Sequence, residues 1–462
     1  MAEATVTLRR WSALVARLAF LIILSFGLSA RPAAAQSILR DAETEALFKE
    51  MSRPIVQAAG LRPEDVQVVL IHDRSINAFV AGGQIVYIHS GLIAAADDAN
   101  EVQGVIAHEI GHITGGHVIR IQEGIKVATG IMLLSLVLGA AAMAAGAGEA
   151  GMAAMAAGQQ AAMGKFLAFS RTQESSADAA AAGFLDKSQT NGKGLITFFK
   201  KLQNQEFRYA IPQDNGYMRT HPLTGERMSA LEQTVKNGSG WGQATDPKLE
   251  ARFQRVKAKL SGYVEDPIRT RAAYPESNKG IPARYARAYA WHKSAYPDKA
   301  LAEAESLLAD APTDPYFLEL KGQILLESGR PGEALEALRQ SVRYAPDQPL
   351  ISALLGHALI ATERPDHYEE AKRVLRAAIG RDNSNPFAWY QLGIVYDREG
   401  DPGRAALATA ERYNLQGEPR LALVNAEQAL RSVPSGTPDW LRAQDIAMVS
   451  RTEVAKKKKN RD

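Results

Sequence analysis

An α+β domain of helices around a small antiparallel sheet, followed by an all-α solenoid of helical repeats, is the fold class predicted by this 462-residue sequence. Three observations predict it. Short β-branched runs alternate with turn residues and amphipathic helical spacing between residues 41 and 112. A helical segment carries the pattern H-E-x-x-H at residues 108–112, and a period of 34 to 37 residues recurs through the C-terminal third. A single core usually stops growing near about 250–300 residues, so the length itself calls for more than one domain.

Residues 1–35 read as an export signal. Arg9, Arg10 and Arg17 lie ahead of or inside the apolar run Leu18–Leu28, and Ala33-Ala34-Ala35 offers small residues for cleavage before Gln36. The competing reading is an uncleaved anchor, but the run is shorter than the roughly 20 residues a span needs. A lipid anchor does not compete, because the sequence has no cysteine to acylate. Removing the signal takes the formal charge from +3 to 0, so no excess of cations remains for a phosphate backbone and no nucleic-acid role is expected. The run Lys456-Lys457-Lys458-Lys459, within a tail at 456–462, reads as solvated chain end. The lack of cysteine also excludes a thiolate nucleophile, a disulfide framework and a cysteine metal site. Any metal must be held by His, Asp and Glu.

The first domain is expected over 36–265. Asp41 to Ala59 has helical spacing with Pro54 as a break or kink, and Gly60 ends it. Val66–Ile71, Ala78–Val80 and Gln84–Ile88 read as strands, the last two joined by Gly82-Gly83. Ser90 is placed to cap a helix starting at Gly91, and a second helix is expected from about Glu101 through His112. Val127 to Met163 is biased towards Ala, Gly and Met, and Gly130–Ala145 carries no charge. Three readings stay open there: a buried or domain-covering helical hairpin, a surface that touches a membrane peripherally, and a transmembrane span. Ser170–Phe184 reads as another amphipathic helix, and 266–280 as a linker.

The second domain is expected over 281–455. Gly322, Gly356 and Gly393 are spaced by 34 and 37 residues, and Ala334, Ala371 and Ala405 fall near the start of each second helix in the same frame. This is the tetratricopeptide pattern, best filled by Gly322, Ala334, Leu338 and Pro346 and by Trp389, Leu392, Gly393 and Tyr396. Stepping back to Ala288, Ala300 and Ala304 gives four repeats over about 281 to 419, then one or two capping helices. Stacked pairs of this kind leave a concave face for peptides or protein surfaces.

On a helix, His108 and His112 project from one face a turn apart, so both imidazoles can grip one ion. Glu109 sits beside them, able to take a proton from water without being a ligand. Glu174 is a candidate third ligand on the later helix, and Asp178, a turn further, a carboxylate to hold a ligand imidazole by its free N–H. Three protein ligands leave a position open for water, as hydrolysis at zinc requires. The three-histidine alternative needs a His at position 118, which is Val118. His117 is one residue early and, if the helix continues, points about 140° away from His112, so it is assigned to packing or to support of the ligands.

The H-E-x-x-H of His108–His112, the run Ser170–Asp178 and the segment Thr220-His221-Pro222-Leu223-Thr224-Gly225-Glu226-Arg227 together resemble the HtpX and CAAX prenyl protease superfamily of zinc peptidases. With the signal and the repeats, the resemblance extends to periplasmic members. It implies a zincin-like domain with one Zn²⁺ on His108, His112 and Glu174, and Glu109 as catalytic base. It places His221 near the metal, either stabilising the oxyanion or filling the fourth position of a latent state, with Arg227 supporting that loop. Asn77-Ala78-Phe79 resembles the family's edge strand, where an extended substrate adds by main-chain pairing, although Phe79 can equally be core. The implied role is a zinc endopeptidase of the periplasm acting in quality control or assembly of outer-membrane proteins, with unfolded or stalled outer-membrane proteins as clients and their assembly machinery as a further partner. A latent chaperone or adaptor working through the repeats is the alternative.

Overall fold

The computed structural model describes residues 37–209, 217 and 221–459, so the expected export signal lies outside the described residues. The described residues hold one four-stranded sheet, β1 (Ile38–Leu39), β2 (Gln67–Ile71), β3 (Ala78–Ala81) and β4 (Ile85–His89), in the order β1-β2-β4-β3. The expected antiparallel sheet is corrected to a mixed one. β4 pairs antiparallel with β3 across the Gly82-Gly83 turn, whose φ values of +62° and +100° suit glycine. That hairpin carries β3 to the outer edge, so β4 returns beside β2 in the same direction, with Gln67 opposite Ile85 and Ile71 opposite His89. β1 is too short to show alternation, which is why the sequence concealed it.

α1 (Ala42–Ala58) runs unbroken through Pro54, capped by the Asp41 carboxylate on the Thr44 N–H. α2 (Ser90–Ala95) begins at Ser90 itself, whose hydroxyl donates to the Asp73 carbonyl at 2.8 Å instead of capping. α3 (Ala99–Thr114), capped by Asp98, is buried on every residue from Ala99 to His112. A helix buried all round needs neighbours on all faces, and two of its glycines show how closely they come. A β-carbon on Gly104 would lie 2.6 Å from the Leu195 Cα in α6 (Lys193–Tyr209), and one on Gly111 2.7 Å from the Ala177 carbonyl oxygen. Leu47, Phe48 and Met51 of α1 pack with Val102, Val105 and Ile106 of α3 and Phe198 and Phe199 of α6 in the core.

α4 (His117–Ala144) and α5 (Gly148–Lys187) form a long antiparallel hairpin, of which only the end near α3 belongs to the domain. Of the readings left open for 127–163, the hairpin is borne out as helical, but it is not buried: Leu133, Leu134 and Val137 are 58–66 % exposed. α4 is long and apolar enough to cross a membrane.

α7 (Gly225–Lys236) and α8 (Pro247–Val264) complete the first unit, and a short helix α9 (Pro267–Ala273) lies within the expected linker interval. The repeats follow as the pairs α10 (Ile281–Lys293) with α11 (Pro297–Asp310), α12 (Pro315–Glu327) with α13 (Pro331–Tyr344), α14 (Pro349–Ala361) with α15 (Tyr368–Arg381), and α16 (Pro386–Arg398) with α17 (Pro402–Leu415). Two more helices close the stack, α18 (Pro419–Ser432) and α19 (Pro438–Lys459), the latter continuing through the lysine run. A β-carbon on Gly322 would meet Leu338 at 2.4 Å, and one on Gly356 would meet Leu375 at 2.5 Å. The repeated glycine is therefore the hole for the partner helix's leucine. At Gly393 the nearest atom would be the Ala408 β-carbon at 3.5 Å, an ordinary contact.

The two units share a buried ionic seam. Glu43 of α1, with no exposed surface, accepts from the Tyr285 hydroxyl at 2.8 Å and pairs with Arg255 and Lys259 of α8. Arg255 reaches on to Asp314 at 2.6 Å, and Arg40 pairs with Asp382 at 2.8 Å.

Candidate metal centre

α3 presents His108 and His112 one turn apart, and their Nε2 atoms lie 3.1 Å from each other. α5 crosses this face at the Gly111–Ala177 contact and brings Glu174 in, with Oε2 3.4 Å from His108 Nε2 and Oε1 3.4 Å from His112 Nε2. His221 follows Tyr217, whose carbonyl accepts its N–H at 2.7 Å, and its Nδ1 lies 3.1 Å from both Glu174 oxygens and 3.4 Å from His108 Nε2. All four side chains are buried.

These spacings fit a tetrahedral ion. Bonds of about 2.0–2.1 Å at tetrahedral angles place donor atoms roughly 3.3 Å apart, and the six separations above run from 3.1 to 3.4 Å. Asp178 Oδ1 lies 3.0 Å from His108 Nδ1, where it can hold the Nδ1 proton and leave Nε2 to face an ion. Imidazole and carboxylate donors without thiolate or extra oxygens suit zinc.

The surroundings hold these donors in place. Arg227, in the first turn of α7 behind the Thr224 cap, grips Asp178 through two bonds of 2.5 and 2.9 Å. It also lies 3.1 Å from Glu174 Oε2 and donates to the Pro222 carbonyl at 2.8 Å. One guanidinium thus ties the two carboxylates to the loop that carries His221. The Phe199 ring lies under that guanidinium and edge-on to His108.

Without an ion, burial disfavours the His108 imidazolium, but Asp178 and Glu174 outweigh it and raise its pKa to about 10. Burial and the adjacent His108 and His221 push His112 well below the usual value. Burial opposes ionisation of Glu174, yet His221 and His108 hold its carboxyl far below the usual range. Glu109 goes the other way, raised by burial with His221 and His108 offsetting part of the effect. Among the described residues neither Glu109 oxygen has a hydrogen-bond partner, and Oε1 is 3.7 Å from His221 Nε2. A desolvated carboxylate of that kind is more basic than one in water, as a proton acceptor should be.

The structure brings together His108, Glu109, His112, Glu174, Asp178, His221 and Arg227. Asn77 and Phe79 are not in that cluster. Phe79 lies on the edge strand β3, half-buried and stacked on Tyr87 with ring centroids 5.1 Å apart, and Asn77 just precedes the strand. That edge is linked to the centre by the Tyr217 N–H, which donates to the Ile76 carbonyl at 3.2 Å.

His117 comes closer than its spacing predicted. The helix does not continue: α3 ends at Thr114, Gly116 takes φ +62°, and α4 restarts at His117. The reversal puts His117 Nδ1 2.9 Å from His112 Nδ1, on the side of the ring away from the cluster. Tyr217, 4.6 Å from the His221 ring, carried no sequence signal of its own.

Gly111 is expected to tolerate no side chain. Gly111→Val would drive α3 and α5 apart at the Ala177 carbonyl, costing about 1–3 kcal/mol or more. Thermal unfolding should show that loss, together with reduced zinc content because Glu174 moves with α5.

Comparison with known proteins agrees with this geometry. Residues 39–235 match the model of peptidase family M48, and 293–349, 319–366 and 354–414 match that of a tetratricopeptide repeat. The chain is 26% identical over 273 residues to the beta-barrel assembly-enhancing protease of Escherichia coli K12, covering 58% of this chain and 55% of that one. Its likeness to the Yersinia pestis protein of that name is 26% over 271 residues, 58% and 55% of the two chains. To metalloprotease LoiP of E. coli K12 it is 32% identical over 178 residues, 38% of this chain and 64% of that one. The matched stretch spans a little over half the length of the first two relatives. The first domain of this chain belongs to peptidase family M48, and its second is built of tetratricopeptide repeats.

Proposed function

We propose that this chain is a zinc-dependent endopeptidase whose repeats bind protein clients or assembly partners. The observation that carries the reading is the set of donors on His108, His112 and Glu174 at ligand spacing, with the buried Glu109 carboxylate, which has no hydrogen bond among the described residues, beside them. Zinc bound there supplies Lewis-acid polarisation of the scissile carbonyl and acidifies water. Glu109 accepts the proton from that water and returns it to the leaving amine. Asp178 and His117 orient the His108 and His112 rings, and Arg227 neutralises the two buried carboxylates. β3 offers the edge on which an extended substrate adds by main-chain pairing near Asn77 and Phe79.

The E. coli and Y. pestis relatives are named for beta-barrel assembly, which supports proteins on the way to β-barrels, among them unfolded or stalled outer-membrane proteins, as clients; the export signal read at residues 1–35 supports the periplasm as the place of action. A second reading, a latent adaptor acting through its repeats, is favoured by one observation: His221 Nδ1 stands where a fourth donor would. Cleavage of unfolded casein by the purified chain decides between them. Activity that disappears with a chelator and returns with one equivalent of zinc supports the peptidase. A zinc-loaded chain that cleaves nothing, with His221 intact or replaced, rejects it in favour of the adaptor.

A further inference from the structure

The hairpin of α4 and α5 beyond the domain has the wrong inside and the wrong outside for water. Its helices meet through small residues: a β-carbon on Gly151 would lie 2.6 Å from the Gly139 carbonyl oxygen, and Gly158 sits directly against Ser135. Its large side chains, among them Leu133, Leu134, Leu136, Val137 and Leu138, point outward and are 49–66 % exposed. In water the large apolar groups would drive the helix contact and small or polar ones would face out. Small residues at the contact and leucines outside are the arrangement that hydrocarbon favours.

Its charges are ordered in the same way. The contacts of Gly124 with Phe169 and of Gly158 with Ser135 set the register and place Lys126 level with Lys165. Around that level Arg120, Lys126, Lys165 and Arg171 are exposed, against Glu123 as the exposed acid. From residue 127 to residue 164 the one charge is Glu149, at the tip, and Gln159 and Gln160 are the most polar side chains between. The eighteen residues of α4 from Val127 to Ala144 measure about 27 Å at a helical rise of about 1.5 Å per residue. The hydrocarbon layer of a bilayer is about 30 Å thick.

We infer that residues 127–164 insert as a helical hairpin into a bilayer with anionic headgroups, the basic belt resting at the headgroups nearest the domain. α5 then continues without a break from the belt to the metal centre. Lys165 and Glu174 are nine residues apart on that helix, or about 14 Å, so insertion holds the centre close above the membrane surface. The consequence for substrates rests on the peptidase reading: the chains within reach are those exposed at the bilayer surface, such as unfolded segments of a membrane protein that has not yet inserted.

The test reads position in the bilayer and does not depend on cleavage, so its failure is distinct from failure of the peptidase reading. The sequence has no cysteine, so a single introduced thiol carries an environment-sensitive fluorophore alone. The full chain is labelled at Leu136→Cys, with Ala140→Cys as a second hairpin site should the first misfold, and at Gln416→Cys in the repeats. Each is mixed with vesicles of phosphatidylethanolamine and phosphatidylglycerol. The expected result is a blue shift of the hairpin label and quenching by a quencher buried in the acyl chains, with neither change at position 416. Lys126→Glu combined with Lys165→Glu should weaken binding to these vesicles at least tenfold. A zinc-loaded, folded chain whose hairpin labels escape the acyl-chain quencher overturns the proposal. A blue shift without vesicles, accompanied by doubled mass in light scattering, overturns it in favour of a second copy of the chain as the occupant.

Discussion

Glu109→Gln is expected to lower kcat/KM on an unfolded protein substrate by about 10²- to 10⁴-fold, the range a positioned general base contributes, while bound zinc stays at the wild-type level. The second half of that expectation follows from the geometry. Glu109 contributes no donor to the cluster of His108, His112, Glu174 and His221, and both its oxygens lack a hydrogen bond among the described residues. The amide therefore replaces the carboxylate without breaking a hydrogen bond among the described residues, and it relieves the cost of burying a charge that His221 and His108 only partly offset. Thermal stability should hold or rise slightly. Kinetics on casein with zinc quantified in the same preparation checks the prediction. Equal cleavage by variant and wild type would remove Glu109 from the mechanism, and loss of zinc in the variant would mean that the carboxylate serves the metal site.

His221→Ala is expected to raise the rate. His221 Nδ1 stands 3.4 Å from His108 Nε2 and 3.1 Å from the Glu174 oxygens, at the distance of a fourth ligand, and its ring lies between those donors and Glu109. Water must occupy that place for Glu109 to deprotonate it. If the loop is closed nine-tenths of the time, opening the position gives about tenfold more competent enzyme, because activity scales with the competent fraction. Zinc affinity should fall in the same variant, since one donor is gone. A rate lowered together with unchanged zinc affinity would make His221 a participant in the reaction instead, stabilising negative charge on the substrate.

The site was more legible in the sequence than the sheet that frames it. H-E-x-x-H shows both histidines because helical geometry alone puts positions four apart on one face. Glu174 and Asp178 repeat that spacing on a second helix, so each half of the site is local. The meeting of the halves is not local. It depends on Gly111 allowing α3 and α5 to touch backbone to backbone at Ala177, and nothing in the spacing of either helix states that distance. Arg227 and His221 were placed by resemblance alone, and the structure gives them a reason, since one guanidinium binds both carboxylates and the loop. His117 supports a ligand, as assigned, but by a route the 140° offset of a continuous helix does not give: a glycine in the left-handed region at 116 ends α3 and turns His117 back to His112. The sheet was misread because hairpin signals identify neighbours in sequence, whereas the parallel pairing of β2 with β4 is decided by where the hairpin folds. The repeats were the most legible part. Their period is a packing period, with a glycine hole for a leucine in each of the second and third pairs.

The seam around Glu43 bears on how this chain comes apart. A carboxylate with no solvent contact, satisfied by Tyr285, Arg255 and Lys259, cannot lose those partners cheaply, because an ionised group stranded in a dry interior costs several kcal/mol. Tyr285, Asp314 and Asp382 belong to the solenoid, whereas Glu43, Arg255, Lys259 and Arg40 belong to the first unit, so undocking takes a hydroxyl from Glu43 and separates the Arg255–Asp314 and Arg40–Asp382 pairs. The two units are therefore expected to melt in one transition, the repeats held to the first domain by ion pairs and a buried hydroxyl and not by a loose tether.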